Sequence, residues 1–226
     1  MHNFSLLILS AGFGNRMKNL TSYLPKPLLK INNKCLLENT ICFFRDIGCD
    51  EILINTHYLY NKIEKYIRDN SYEIPLSVIY EPTILGTGGA VKNIFNYTNS
   101  NKILVVNSDI FWQKENKLDI LNFLKDFNDI EYCKILLSHK DNFFGLKNKN
   151  GDFNIYNSKI SKHIEGEEIL YYSGLQILSS NIFKKTKHIF SINGIWNELI
   201  NTQKLKGQII HSKILHIGDK QAYEDY

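Results

Sequence analysis

Two cations and two glycines lie close together near the start of the chain. Gly12, Gly14 and Arg16 follow the apolar run Leu6-Leu7-Ile8-Leu9, and Lys26 comes shortly after, set between Pro25 and Pro27. Arginine presents a planar fork of donors and lysine a compact point charge, and both suit phosphate oxygens. Successive backbone N–H groups in a glycine-bearing turn form a concavity that holds an anion, and small side chains let a ligand come close to the main chain. A buried strand opening into Ser10-Ala11-Gly12-Phe13-Gly14-Asn15-Arg16 therefore suits a phosphorylated ligand, with Arg16 and Lys26 as its counter-charge.

Two common phosphate loops are excluded. The dinucleotide fingerprint needs a third glycine where Met17 stands and an acidic residue about 20 positions on, and neither is present. The nucleotide-hydrolase loop needs Gly-Lys-Ser or Gly-Lys-Thr, which is also absent. Two later segments carry chemistry of their own. The stretch Glu81-Pro-Thr-Ile-Leu-Gly-Thr-Gly-Gly-Ala90 places Gly86, Gly88 and Gly89 before a helix, where a flat ring can lie on backbone without Cβ atoms; it also reads as a flexible turn. The apolar strand 103–107 ends in Ser108-Asp109. In an open parallel sheet ligands bind beyond the carboxyl ends of strands, so Asp109 suits a divalent cation there, or caps a following turn.

With these residues in place, a resemblance is clear. The stretch 9–31, LSAGFGNRMKNLTSYLPKPLLKI, resembles the signature of the sugar-1-phosphate nucleotidyltransferases, a glycine-arginine loop followed by Pro-Lys-Pro. The resemblance implies that Ala11, Gly12, Gly14, Asn15, Arg16 and Lys26 hold the nucleoside triphosphate, with Arg16 and Lys26 catalytic. It implies that Gly86, Gly88 and Gly89 contact the base, and that Asn107 contacts the nucleotide. Asp109, in Val-Val-Asn-Ser-Asp, would bind magnesium. Gly151-Asp152-Phe153 and Tyr172-Ser173-Gly174-Leu175-Gln176 resemble one branch, the N-acetylmuramate-1-phosphate uridylyltransferases, and imply sugar contacts by Asp152 and Gly174. Asn150-Gly151 also reads as a plain hairpin turn. Glu165 is a further sugar-ligand candidate or a solvated loop carboxylate, since Glu165-Gly166 replaces the usual Glu-Lys-Pro. Other departures are Ser10 for alanine, Asn19 for proline, and His216 where the second metal-binding aspartate belongs. His216 is then a metal ligand or a packed histidine, and Asp219 an alternative ligand.

The elements that must position these groups follow from apolar spacing. Strands are expected at 51–55, 76–80, 103–107, 135–137 and 213–219, an extended piece at 28–31, and helices at 36–47, 58–67, 91–95, 118–127 and 190–199. Strands alternating with helices build a parallel sheet covered on both faces. The resemblance implies an α/β, three-layer Rossmann-like nucleotidyltransferase fold with a mixed, mainly parallel sheet. At 226 residues and 43% hydrophobic content one domain is expected, spanning 1–226, without the C-terminal β-helix domain of longer relatives. A net charge of +4 with no arginine-rich run implies no nucleic-acid partner. Four cysteines without a Cys-x-x-Cys pair read as small buried apolar residues of a reducing compartment, and no signal or membrane segment is evident, so a cytoplasmic monomer or small homo-oligomer is expected.

The implied reaction joins a nucleoside triphosphate to a sugar 1-phosphate, giving a nucleotide sugar and pyrophosphate. The Gly-Asp-Phe and Ser-Gly-Leu-Gln segments favour UTP and N-acetylmuramate 1-phosphate, a step of peptidoglycan recycling. Guanylyl transfer to mannose or heptose 1-phosphate is the alternative, and a nucleotide-binding module without catalysis is the alternative of another class.

Overall fold

Strand β1 (Ser5–Leu9) shows how the chain is layered: Leu6 and Ile8 belong to one apolar cluster and Leu7 to another, so alternate residues enter different layers. The computed structural model describes residues 4–146, 151–164 and 166–226. Strands β2 (Glu51–Thr56), β3 (Leu76–Tyr80) and β4 (Lys102–Asn107) share β1's direction, with β1 paired to both β2 and β4. Five more strands complete a nine-stranded sheet: β5 (Cys133–His139), β6 (Phe153–Tyr156), β7 (Lys159–Lys162), β8 (Leu170–Ser179) and β9 (Leu205–Ile210). Their order is β6-β7-β9-β5-β8-β4-β1-β2-β3. The sheet is mixed: only β7 and β8 run against the other strands.

Helices α1 (Leu36–Arg45), α2 (Tyr60–Asp69) and α4 (Asn116–Leu124) cover one face, through Leu37, Ile41, Phe44, Ile63, Ile120 and Phe123. Helices α3 (Gly86–Ile94) and α5 (Asn193–Asn201) cover the other, through Val91, Ile94, Ile195, Trp196 and Leu199. A short helix, α6 (Lys220–Glu224), follows the last strand. The three-layer α/β expectation therefore holds. Trp196 is core, as its position in the helix suggests, and its ring N–H donates to Gln176 Oε1 at 3.0 Å.

Several boundaries differ from expectation for physical reasons. Helix α3 begins at Gly86 itself, so the glycines form its first turns rather than a loop before it. Strands β6 and β7 form a hairpin whose turn is Asn157-Ser158, both residues at positive φ. Asn150 and Glu165 lie outside the described residues. The expected strand at 213–219 is only Ile214–His216, because Asp219 turns the chain into α6 by accepting from the Ala222 N–H at 3.1 Å.

Strand order reverses at β1, which sends the chain to β2 and β3 on one side and pairs with β4 on the other. A crevice opens there beyond the carboxyl ends of the strands. A second, three-stranded sheet closes its edge, pairing Ile214–His216 with Ile110–Phe111 and with Phe143–Phe144. His216 is thereby set opposite Ile110, one residue past Asp109. The cysteines are unpaired, three of them buried, and burial pushes the Cys49 thiol up to about 12. No helix among the described residues is long and apolar enough to cross a membrane.

Candidate active site

The crevice is a cleft of about 420 Å³ lined by the loop after β1, the Pro-Lys-Pro turn, the ends of β2 to β4 and the start of α3. The loop residues Ala11, Gly12, Gly14, Asn15 and Arg16 all line it. A Cβ at Gly12 would meet nothing within 4 Å, so the backbone there faces open space. Gly14 sits at φ 69°, and the Thr21 hydroxyl donates to its carbonyl at 3.0 Å, which fixes the turn that Asn19 leaves without its customary proline.

Lys26 is buried, held in a short 3-10 turn between its two prolines. Its Nζ donates to Asp109 Oδ2 at 2.7 Å and to the Gly218 carbonyl at 3.1 Å. The Arg16 guanidinium, largely exposed, stands 3.9 Å from the same carboxylate oxygen. His216 Nε2 lies 3.3 Å from it. Burial opposes ionisation of Asp109, but the Lys26 charge and the His216 contact outweigh it and hold the carboxyl well below the usual carboxylate range. The sequence thus brings Arg16, Lys26, Asp109 and His216, from four separate segments, to one point.

Asp109 Oδ1 is buried and has no hydrogen-bond partner, as is His216 Nδ1. An unpartnered buried carboxylate oxygen costs free energy unless a cation or donor meets it, so the donor set fits a divalent cation. Among the described residues there is no group of three or more His, Cys, Asp or Glu that could hold a metal, so most ligands would come from phosphate and water. Asp219 is engaged as the cap of α6.

The end of the cleft beside Ser10 holds residues that local sequence patterns do not reveal. The Ser10 N–H donates to Asn55 Oδ1 at 2.9 Å, and Asn55 Nδ2 donates to Glu81 Oε1, also at 2.9 Å. Glu81 lines the cleft and is buried, its Oε2 has no partner, and burial raises its carboxyl pKa. The available signal was position: Asn55 lies in β2 near its carboxyl end and Glu81 just beyond β3.

The three glycines of α3 do different work. Gly86 lines the cleft, as do Thr87 and Ala90. Gly88 and Gly89 are buried and pack against the Phe190 segment. Both their N–H groups donate to the Phe190 carbonyl, and a Cβ on Gly88 would fall 2.3 Å from the Phe190 ring. A Gly88→Ala variant should lose about 1 to 3 kcal/mol of stability through overpacking. A lower Tm that Phe190→Leu partly restores would show the clash; an unchanged Tm would refute it.

Asn107 and Ser108 line the cleft beside Asp109. Asp152 lies elsewhere, in a second cavity of about 610 Å³ with Lys162, His163, Tyr172 and Asn197, and its carboxylate accepts from the Tyr172 N–H at 3.2 Å. Gly174 lines neither cavity. At φ 87° it marks the irregularity in β8, and its missing Cβ leaves room for Ile110 and Asn107 behind Asp109.

This geometry has counterparts. Residues 5–151 match the model of the nucleotidyl transferase family. The chain is 26% identical over 226 residues to D-glycero-alpha-D-manno-heptose 1-phosphate guanylyltransferase of Campylobacter jejuni, covering 96% of each chain. It is 24% identical to N-acetylmuramate alpha-1-phosphate uridylyltransferase of Caulobacter vibrioides, covering 96% of this chain and 92% of that one. The crystal structure of HddC from Yersinia pseudotuberculosis complexed with GMP-PN superposes with a TM-score of 0.79 at 25% identity, over 98% of this chain and 97% of that one. The family match takes in the whole stretch that carries Arg16, Lys26 and Asp109, so the chain belongs to the nucleotidyl transferase family and is a nucleotidyltransferase.

Proposed function

We propose that this nucleotidyltransferase joins GTP to a sugar 1-phosphate of the mannose or heptose type, releasing pyrophosphate and leaving a GDP-sugar. The observation that carries the base assignment is the unpartnered Glu81 Oε2 in the cleft. An ionised carboxylate only accepts hydrogen bonds. Guanine offers it two adjacent donors, the ring N–H and the exocyclic amine, whereas uracil offers one donor flanked by two carbonyl oxygens that a carboxylate repels. The similarity to the Campylobacter guanylyltransferase and to HddC supports the same base.

In this reaction an oxygen of the sugar phosphate attacks the α-phosphorus of the triphosphate, and the bond from that phosphorus to the bridging oxygen of pyrophosphate breaks. No covalent intermediate with the enzyme is needed. Both reactants are anions, so the chain must hold them in line and neutralise the charge that builds on the bridging oxygen. Arg16 and Lys26 do this, each worth on the order of 2 to 4 kcal/mol in such clamps. Magnesium, expected from the resemblance, would be held by Asp109 and would add positive charge at the phosphates.

UTP with N-acetylmuramate 1-phosphate is the second reading, supported by the cavity that contains Asp152 and by the Caulobacter relative. Pyrophosphate release separates the two. GTP and UTP should each be offered with heptose, mannose, glucose and N-acetylmuramate 1-phosphates. Release that requires GTP and one of the first two sugars supports the first reading, and release from UTP alone overturns it.

A further inference from the structure

We infer that His57 is a positioning residue for base selection: its ring N–H holds the Glu81 main chain so that the Glu81 carboxylate meets guanine in one orientation. The inference rests on the reading of Glu81 as the group that faces the base. His57 Nδ1 lies 2.7 Å from the Glu81 carbonyl oxygen. A carbonyl only accepts, so the proton of the neutral ring sits on Nδ1.

Three consecutive residues grip Glu81. Asn55 Nδ2 donates to its Oε1 at 2.9 Å, the Glu81 N–H donates to the Thr56 carbonyl at 2.8 Å, and His57 holds the Glu81 carbonyl. The third contact is one that the sheet does not provide. Strand β2 ends at Thr56 and β3 at Tyr80, so the Glu81 carbonyl lies past both strands, and the residue after it, Pro82, has no N–H to offer. Without the imidazole the Glu81-Pro82 peptide would be free to turn about the fixed N–H, and the carboxylate would swing with it.

The ring itself is held on two sides. It stacks on Tyr80 at 6.4 Å, nearly parallel at 3°, and meets the Phe13 ring edge-on at 5.6 Å. Phe13 stands between Gly12 and Gly14 in the loop after β1, and Tyr58, which also packs on it at 5.6 Å, donates its hydroxyl to the Thr21 carbonyl at 2.9 Å. An imidazole so packed loses little further rotamer freedom when it hydrogen-bonds. A reading group fixed within about 0.5 Å keeps a discrimination that a looser one forfeits.

Titration calorimetry with GTP and with inosine triphosphate, in magnesium buffer and without a sugar phosphate, tests this. His57→Phe keeps a ring but no donor, and the preference for GTP in Kd should fall about fivefold or more, while the Kd for inosine triphosphate stays within about twofold of native. His57→Asn, whose amide N–H takes the place of Nδ1–H, should keep most of the preference. A general loss of structure would weaken both nucleotides alike. A preference unchanged in His57→Phe, or lost as fully in His57→Asn, overturns the inference. If His57→Phe does not fold, the native ring decides: ¹⁵N-histidine spectra should show the neutral His57 ring protonated on Nδ1, and protonation on Nε2 overturns the inference. A native protein that binds both nucleotides equally overturns the reading of Glu81 and this inference with it.

Discussion

Lys26→Ala should lower turnover by at least two decades while the protein still folds. Lys26 has no substitute among its neighbours, since Arg16 is largely exposed and 3.9 Å from Asp109 whereas Lys26 Nζ is buried at 2.7 Å. Loss of about 3 kcal/mol of charge stabilisation in the transition state is about a hundredfold in rate. The same change removes the nearest partner of a buried carboxylate. Asp109 ionises in the folded state well below the ordinary carboxylate range, so its contribution to stability is present above that range and fades as pH falls through the folded value. Without Lys26, burial dominates and that contribution is lost. The Tm deficit of the variant should be largest near neutral pH and shrink below the ordinary carboxylate range, and Asp109→Asn in the same chain should recover part of it. Near-normal turnover with intact circular dichroism would remove Lys26 from the mechanism.

Glu81→Gln should collapse the preference for guanine. In the native protein GTP should outrun inosine triphosphate, which lacks the exocyclic amine, by ten- to a hundredfold, the worth of about 1.5 to 3 kcal/mol for a hydrogen bond to a charged group. The glutamine amide opposes that amine with a donor of its own in one orientation, and the ratio should fall toward unity. Stability should move the other way. Burial raises the folded pKa of Glu81, so its favourable contribution is present below the unfolded carboxylate value and lost as pH rises through the folded one. The glutamine variant should therefore melt higher than the native protein at pH 7 and no higher at acid pH. A GTP to inosine triphosphate ratio that the variant leaves unchanged would show that Glu81 does not read the base.

How far the site was legible depended on whether its residues act locally. The loop from Gly12 to Arg16 and the Pro-Lys-Pro turn carry their chemistry in consecutive positions, and Asp109 stands directly after an apolar strand. Asn55 and Glu81 do not. Each is a lone polar residue near the carboxyl end of a strand, and only the parallel register, with Asn55 opposite both Leu9 and Ile79, joins them into one floor. The packing of Gly88 and Gly89 was hidden for a related reason, because the Phe190 segment that needs their missing side chains lies about a hundred residues away. The parallel half of the sheet followed from helix and strand alternation. Strands β6, β7, β8 and β9 escaped notice: the first two form a short hairpin whose Asn157-Ser158 turn carries no glycine, β8 is interrupted by the irregularity at Gly174, and β9 mixes charged and apolar residues.

The hydrogen bond from Lys26 to the Gly218 carbonyl ties the Pro-Lys-Pro turn to a segment nearly two hundred residues later. Chains emerge from synthesis amino end first, and domains fold as their parts become available. The loop after β1 and the Pro-Lys-Pro turn exist early, yet Lys26 gains its carbonyl partner, and Asp109 its imidazole neighbour, only when the segment through Gly218 has docked. If Lys26 and Asp109 act as proposed, catalytic competence is in this way deferred to the close of folding, and a nascent chain holding most of the sheet would have the loop after β1 without the finished cluster.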